Sequence, residues 1–377
     1  MSEDIKINRG LKGVYFERSG TSLIDGAKGE LSYRGYSIHD LAEKASFEEV
    51  AHLLIRGELP DVAGLAAFDA ELKAARVLPE AIIDIIGRIA GGHPMDVLRT
   101  CVSALAALEP ESADATEEGF LRNGIRLVAQ VPVIVAAHHR IRRGLEPVPA
   151  DPSLPHAANW LWMLTGEAPT AAAARLADTD LVLHAEHGSN ASAFAARVTV
   201  STEANLHGAI VTALATLAGP AHGGAAEDVM RMVREIGAPE NAAAYVAARR
   251  RARAPVTGFG HRVYRTEDPR ARHMREGVER LSRERGEPRW FAILQAVVEA
   301  MRPYARHGLN VNVDFYSGVL YELHGIPMDL YVPIFAIGRM PGWVAQCLEQ
   351  RRSNILIRPL TAYDGPAPRA FVPLAER

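Results

Sequence analysis

Four short stretches gather the residue types that do proton chemistry and bind anions. The first is His184-Ala185-Glu186-His187-Gly188-Ser189-Asn190-Ala191-Ser192. Its histidines are three apart, so on a helix they would share one face. That spacing suits a ligand-binding helix end, a pair of core histidines or a metal pair. The metalloprotease pattern needs His at i and i+4 with Glu beside the first, and the segment has neither. The second stretch is Gly219-Pro220-Ala221-His222-Gly223-Gly224. Gly and Pro around His222 imply tightly turned backbone that a ligand can approach closely. The third runs Val256-Thr257-Gly258-Phe259-Gly260-His261-Arg262-Val263-Tyr264-Arg265 and on to Asp268-Pro269-Arg270. Its Gly-Phe-Gly loop could offer N–H groups to an anion, although it lacks the third Gly and preceding strand of a dinucleotide fingerprint. The fourth is Asn310-Val311-Asn312-Val313-Asp314-Phe315-Tyr316-Ser317-Gly318. Asp314 follows a short β-like run and precedes an apolar helix, where it is either a chemical group or an N-cap.

The chain around these segments reads as mainly α. Ser46-Phe47-Glu48-Glu49 is a capping box. Val50, Leu53 and Leu54 follow as an apolar stripe at helical spacing, stopped by Gly57 and Pro60. Pro79, Pro94, Pro155 and Pro169 lie near further helix starts, with Gly124, Gly144, Gly166, Gly237 and Gly286 as punctuation. Near the N-terminus, Val14-Tyr15-Phe16, Thr21-Ser22-Leu23-Ile24 and Leu31-Ser32-Tyr33 look extended. Asp25-Gly26 and Lys28-Gly29 supply turns, and a small β-hairpin is expected there. Strands never alternate with helices, so no parallel sheet is implied.

Composition narrows the class. The 377 residues are 48% hydrophobic and 23% charged, enough for a self-sufficient core. A net charge of −3 argues against non-specific nucleic-acid binding. The two cysteines, Cys101 and Cys347, form no disulfide framework, so a reducing, cytoplasmic setting is expected. The polar N-terminus has no secretory h-region. The most apolar run, residues 127–137, is too short to span a bilayer and reads as a buried helix. One local departure is a run dense in arginine: Arg249, Arg250, Arg251, Arg253, Arg262, Arg265, Arg270, Arg272, Arg275, Arg280, Arg283 and Arg285. It is either a solvated face or a site for a phosphate-bearing ligand.

Taken in order, the four segments resemble the citrate synthase family. The resemblance spans nearly the whole chain, from Ile24-Asp25-Gly26 and Tyr33-Arg34-Gly35-Tyr36 to Gly338-Arg339, Gly342-Trp343, Glu349-Gln350 and Ile357-Arg358-Pro359. It implies a large helical domain (1–222 and 323–377) and a smaller one (223–322) on the CoA side, with the active site in a cleft that closes by a hinge motion. It implies condensation of acetyl-CoA with oxaloacetate to citrate and CoA, with no permanently bound cofactor, no metal and no membrane or nucleic-acid partner. By this match Asp314 is the base, His222 donates to the enol oxygen, and His261 polarises and protonates the 2-oxo carbonyl. His187, Arg270 and Arg339 would bind oxaloacetate, with Arg358 supplied by the other subunit of a homodimer. Backbone from Val256 through Thr257, Gly258 and Phe259 to Gly260, together with Arg265 and Asn312, would hold CoA. The chain starts almost at the family core, so no N-terminal domain for NADH inhibition is expected.

Two positions depart from the family pattern: Ala226 stands where Asn is usual, near the expected CoA channel, and Gln346 stands where His is usual. The nearest rival is 2-methylcitrate synthase, which takes propanoyl-CoA. One methylene is worth only about 1–3 kcal/mol of discrimination. A non-catalytic binding relative would not need all of His222, His261 and Asp314, and a metalloenzyme would need ligand spacing that is missing.

Overall fold

The Asp25-Gly26 and Lys28-Gly29 turns are where the chain first reverses. In the computed structural model, which describes residues 6–377, Asp25 accepts from the N–H groups of Ala27 and Lys28, each at 3.0 Å. This closes the turn between β1 (Ser22–Asp25) and β2 (Glu30–Tyr33). Gly26 has no room for a side chain: an added Cβ would lie 2.3 Å from the carbonyl oxygen of Val263. Ser22 pairs with Tyr33 and Asp25 with Glu30. A short β3 (Tyr36–Ser37) pairs with β2, so the expected hairpin is a three-stranded antiparallel sheet. Val14-Tyr15-Phe16 is not part of it. Phe16 instead packs edge to face on Phe194, ring centroids 5.0 Å apart, and such a tertiary contact replaces a ladder.

Helices make up the rest. α1 (Ile38–Lys44) and α2 (Phe47–Arg56) follow the sheet. The capping box of α2 is present, with the Ser46 side chain accepting from Glu49 N–H and the Glu49 side chain accepting from Ser46 N–H. Then come α3 (Val62–Ala74), α4 (Glu80–Arg88), α5 (Pro94–Leu108), α6 (Glu117–Ile141), α7 (His156–Thr165) and α8 (Ala171–His184). The chain continues with α9 (Ala191–Ser201), α10 (Leu206–Leu217), α11 (Ala225–Ile236), α12 (Ala242–Arg251), α13 (Ala271–Glu284), α14 (Pro288–Met301), α15 (Asp314–Leu323) and α16 (Tyr331–Arg352). Pro79 caps α4, Pro94 opens α5 and Pro155 caps α7, because a missing N–H costs nothing where no intrahelical partner exists. Gly144, Gly166, Gly237 and Gly286 all take positive φ at or beyond helix ends.

Gly124 departs from that expectation. It lies inside α6, where a Cβ would come within 2.4 Å of Val344 Cγ1 on α16. Here glycine marks close helix packing, not a break. The apolar run 127–137 is likewise part of a longer helix. α6 is the one helix among the described residues long and apolar enough to cross a membrane, and 78% of its apolar window is buried inside the protein. It packs against α3, α4, α5, α7 and α16, as the core helix of a folded domain. α16 lies beside it and also touches α2, α8, α9 and α10, with Trp343 fully buried. α11, α13, α14 and α15 pack on one another, and α12 packs on α14. α8 and α16 border this group and carry the segments described next.

Candidate active site

α8 ends at His184, so the two histidines of the first segment do not share a helix face as expected. His184 Nδ1 donates back to the Asp180 carbonyl at 2.9 Å. The chain then leaves the helix and turns at Gly188, φ +57°. Gly188 N–H donates to Ser22 Oγ at 3.1 Å, which ties the loop to β1. His187 therefore sits on loop backbone, 8% exposed, and its Nε2 lies 3.1 Å from the Tyr264 hydroxyl. Burial and the nearby Arg270 hold its pKa well below the ordinary value. Glu186, beside it, is fully buried and accepts from Gln346 Nε2 at 2.8 Å. The Gln346 departure is thus occupied in positioning this loop; its carbonyl accepts from Arg197 at 2.8 Å.

His222 is held by Ser192. The backbone N–H of Ser192 donates to His222 Nε2 at 3.3 Å, and the Ser192 hydroxyl lies 2.8 Å from the same nitrogen. A backbone N–H can only donate, so Nε2 accepts and the ring proton resides on Nδ1. Burial and Arg339 lower the His222 pKa to about 4, leaving a neutral donor at pH 7.

His261 has the opposite tautomer. Its Nδ1 accepts from the N–H groups of Val263 at 3.0 Å and Tyr264 at 3.1 Å, which places the proton on Nε2. Burial and Arg270 lower its pKa to about 4. The Tyr264 ring stacks on it, centroids 4.6 Å apart.

The Gly-Phe-Gly loop behaves differently from the expectation. Phe259 N–H donates to Val256 and Gly260 N–H to Asn310, at 3.3 and 2.7 Å, so two of its three N–H groups are spent inside the chain. Gly258 has φ +84°, and a Cβ there would lie 2.5 Å from the Phe315 ring. The glycines let the loop zip onto residues 310–312, where Phe259 bridges Val311. Asn312 donates to the Gly260 carbonyl at 3.1 Å, and its own Oδ1 is buried without a partner. Val256 is buried, Thr257 half-buried and Arg265 exposed.

Of the arginine run only Arg270 is buried, so most of the run is a solvated face. Arg270 grips Asp268 through two bonds, Nε to Oδ1 at 2.9 Å and Nη2 to Oδ2 at 2.7 Å. Burial alone would raise the Asp268 pKa, but Arg270 holds it below the usual carboxylate range. Arg339, also buried, donates through Nε to the His184 carbonyl at 2.6 Å and lies over the Phe335 ring at 4.7 Å. Burial lowers its pKa to about 10, which still leaves it charged at neutral pH. Two guanidinium groups among neutral histidines make a site for a small dianion.

Asp314 opens α15 but makes no capping hydrogen bond, so it is not an N-cap. Burial raises its pKa, and the charges of Asp268 and Asp180 push the same way against His184 and Arg270. A carboxylate of raised basicity, two neutral imidazoles with protons on opposite nitrogens and two buried guanidinium groups suit proton abstraction next to a carbonyl.

Arg358 is not brought to this cluster. It is exposed on a C-terminal segment beyond α16 that makes few contacts with the rest of the chain. Ala226 is buried on α11, with its carbonyl 2.5 Å from where a Gly318 Cβ would lie, so it serves helix packing. Tyr264, Asp268 and Phe335 were given no role in the sequence. The first two lie inside a segment rich in site residues, which was a signal; Phe335, in the apolar run of α16, had none. Among the described residues no group of three or more His, Cys, Asp or Glu is arranged to hold a metal.

Comparison with known proteins shows the family. Residues 10–360 match the family model described as citrate synthase, C-terminal domain. A citrate synthase of Haloferax volcanii is 44% identical, covering all of both chains. A 2-methylcitrate synthase of Mycobacterium tuberculosis is 40% identical over 95% of this chain and 91% of its own. The structure of a citrate synthase from Thermoplasma acidophilum, a ternary complex with carboxymethyl coenzyme A and oxaloacetate, superposes with a TM-score of 0.92 at 30% identity, covering 99% of this chain and all of that one. The chain belongs to the citrate synthase family of transferases.

Proposed function

We propose that this protein condenses acetyl-CoA with oxaloacetate to give citrate and CoA. Asp314 takes a proton from the thioester methyl group, and the Nδ1–H of His222 hydrogen-bonds the enol oxygen as charge develops there. The enol carbon attacks the 2-oxo carbonyl of oxaloacetate. His261 gives its Nε2 proton to the carbonyl oxygen and regains one from the water that then hydrolyses the citryl thioester and releases CoA. Arg270, Arg339 and His187 orient the dianion. Asn312, with its unpartnered Oδ1, and residues 256–260 lie on the CoA side. The observation that carries this reading is that His222 accepts a backbone N–H through Nε2 while His261 accepts two through Nδ1, which leaves opposite ring nitrogens to face substrate.

The division into a large part (1–222, 323–377) and a smaller one (223–322) is supported by the mutual packing of α11, α13, α14 and α15. A homodimer is supported by the segment that carries Arg358. It leaves Leu360, Tyr363, Phe371 and Leu374 at least 80% exposed, large apolar side chains that a partner subunit would cover. Arg358 in a partner's cleft would complete the carboxylate clamp. A cytoplasmic setting fits the two free, buried cysteines.

A relative named 2-methylcitrate synthase at 40% identity keeps 2-methylcitrate synthesis from propanoyl-CoA as the second reading. Thiol release measured with oxaloacetate and with acyl-CoA substrates of two, three and four carbons tests both. Higher kcat/KM with acetyl-CoA supports the first, higher kcat/KM with propanoyl-CoA the second, and no release with any of them removes both.

A further inference from the structure

Beneath Asp314 lies a second carboxylate that the chemistry above does not use. Asp180 is 2% exposed on α8, and among the described residues it has no lysine or arginine within ion-pair distance; its only such partner is His184, whose Nδ1 is 3.2 Å from Oδ1. A buried carboxylate without a cation costs several kcal/mol, so its presence calls for a physical reason. Its other partners come from α15. The Tyr321 hydroxyl donates to Asp180 Oδ2 at 2.7 Å, and Ser317 Oγ lies 3.5 Å from Oδ1.

The spacing orders these groups. Asp314, Ser317 and Tyr321 are at i, i+3 and i+7, one stripe of α15. Asp180 and His184 are at i and i+4, one stripe of α8. Asp180 meets the lower part of the α15 stripe, while His184 stands one turn higher, where α15 begins with Asp314. The groups whose charges reach the Asp314 carboxyl are His184 and Asp180 from α8, Asp268 and Arg270 from the segment before α13, and Arg339 from α16. Asp314 also sits at the positive end of the α15 dipole, which favours its charged form and weakens it as a base. Burial opposes that effect, and Asp180 is among the groups that push the Asp314 pKa the same way.

We infer that Asp180 is a positioning residue for Asp314: through Tyr321 it fastens the helix that bears the base to the helix that leads into the His187 loop. The inference rests on the reading of Asp314 as the base. It assigns Asp180 no contact with substrate.

Two variants separate the parts of this role. Asp180→Asn keeps the shape and removes the charge. Tyr321→Phe keeps the charge and removes the fastening. In Asp180→Asn the acid limb of the kcat profile moves to lower pH, because loss of a like charge makes the Asp314 proton easier to remove. Tyr321→Phe leaves the limb in place and lowers kcat by up to about 10²-fold, the scale of a catalytic group misplaced by about 1 Å, with KM for both substrates changed less. Should Asp180→Asn fail to fold, Tyr321→Phe alone decides. Wild-type kcat together with an unmoved limb in the folded variants overturns the inference. Asp314→Asn tells that failure apart from failure of the underlying reading, since wild-type turnover in that variant removes Asp314 as the base.

Discussion

The ring of His187 meets the ring of His261 edge to face, with centroids 5.2 Å apart and planes at 72°. Two imidazolium ions this close would repel. Burial and Arg270 hold both below the ordinary histidine range, so the pair stays uncharged at neutral pH. That neutrality decides the kind of chemistry available. A neutral imidazole donates one hydrogen bond from a fixed nitrogen and leaves the cationic groups of the site to be Arg339 and Arg270, the latter paired with Asp268.

On the proposed mechanism, His222 and His261 should act in one transition state. His222→Ala and His261→Ala should each lower kcat, and the double variant should lose less than the product of the single losses. Steady-state kinetics on all three variants provide the check. Multiplicative losses would make one histidine merely structural.

Asp314→Asn should reduce kcat by at least about 10²-fold, the usual worth of a positioned proton transfer, with oxaloacetate binding retained. Calorimetric titration of the variant with oxaloacetate separates lost chemistry from lost folding. Turnover near wild type would remove Asp314 from the mechanism.

Acid should destabilise the protein through histidines remote from the site. His156 and His207 are at most 2% exposed, and none of their ring nitrogens has a partner. Burial lowers their pKa values from 6.5 to about 3 and about 4. Below pH 6.5 the unfolded chain takes protons that the folded chain refuses. The stability these groups contribute is therefore full above pH 6.5 and is lost as pH falls toward those values, by up to about 1.4 kcal/mol per unit for each fully buried ring. Urea midpoints at pH 7 and pH 5 should differ, and His207→Gln should shrink the difference. An unchanged difference would count against His207 as a contributor.

Gly124→Ala should destabilise. In an exposed helix this change stabilises by about 1 kcal/mol. Here the new methyl would lie 2.4 Å from Val344, and overpacking of this kind costs about 1–3 kcal/mol. The clash should win, and Val344→Ala should relieve it in the double variant. A raised urea midpoint in Gly124→Ala alone would show that α6 and α16 separate freely.

Subunit mixing tests the shared site. Arg358→Ala and Asp314→Asn subunits, each inactive alone, should recover part of the activity when mixed, because one site of a hybrid dimer is then wild type at both positions. If subunits exchange and activity stays absent, Arg358 serves its own chain.

By itself the amino-acid sequence determined the mainly α class and several helix ends. Capping boxes, N-terminal prolines and glycines at helix ends are local signals, readable within about one turn. It also pointed to His187, His222, His261, Arg270, Asp314 and Arg339, because their types and order along the chain resemble one family closely. Tertiary structure decided the rest. Gly124 looked like punctuation until α16 supplied the neighbour that demands it. The Gly-Phe-Gly loop looked like an anion cradle until residues 310–312 claimed its N–H groups. The proton positions on His222 and His261 depend on Ser192, Val263 and Tyr264; Ser192 is 30 residues from His222 in the chain. Asp180 and Tyr321, 141 residues apart in the chain, meet only in the fold. Burial, tautomer and basicity are set by neighbours in space, and a pattern along the chain carries no information about which distant residues those neighbours will be.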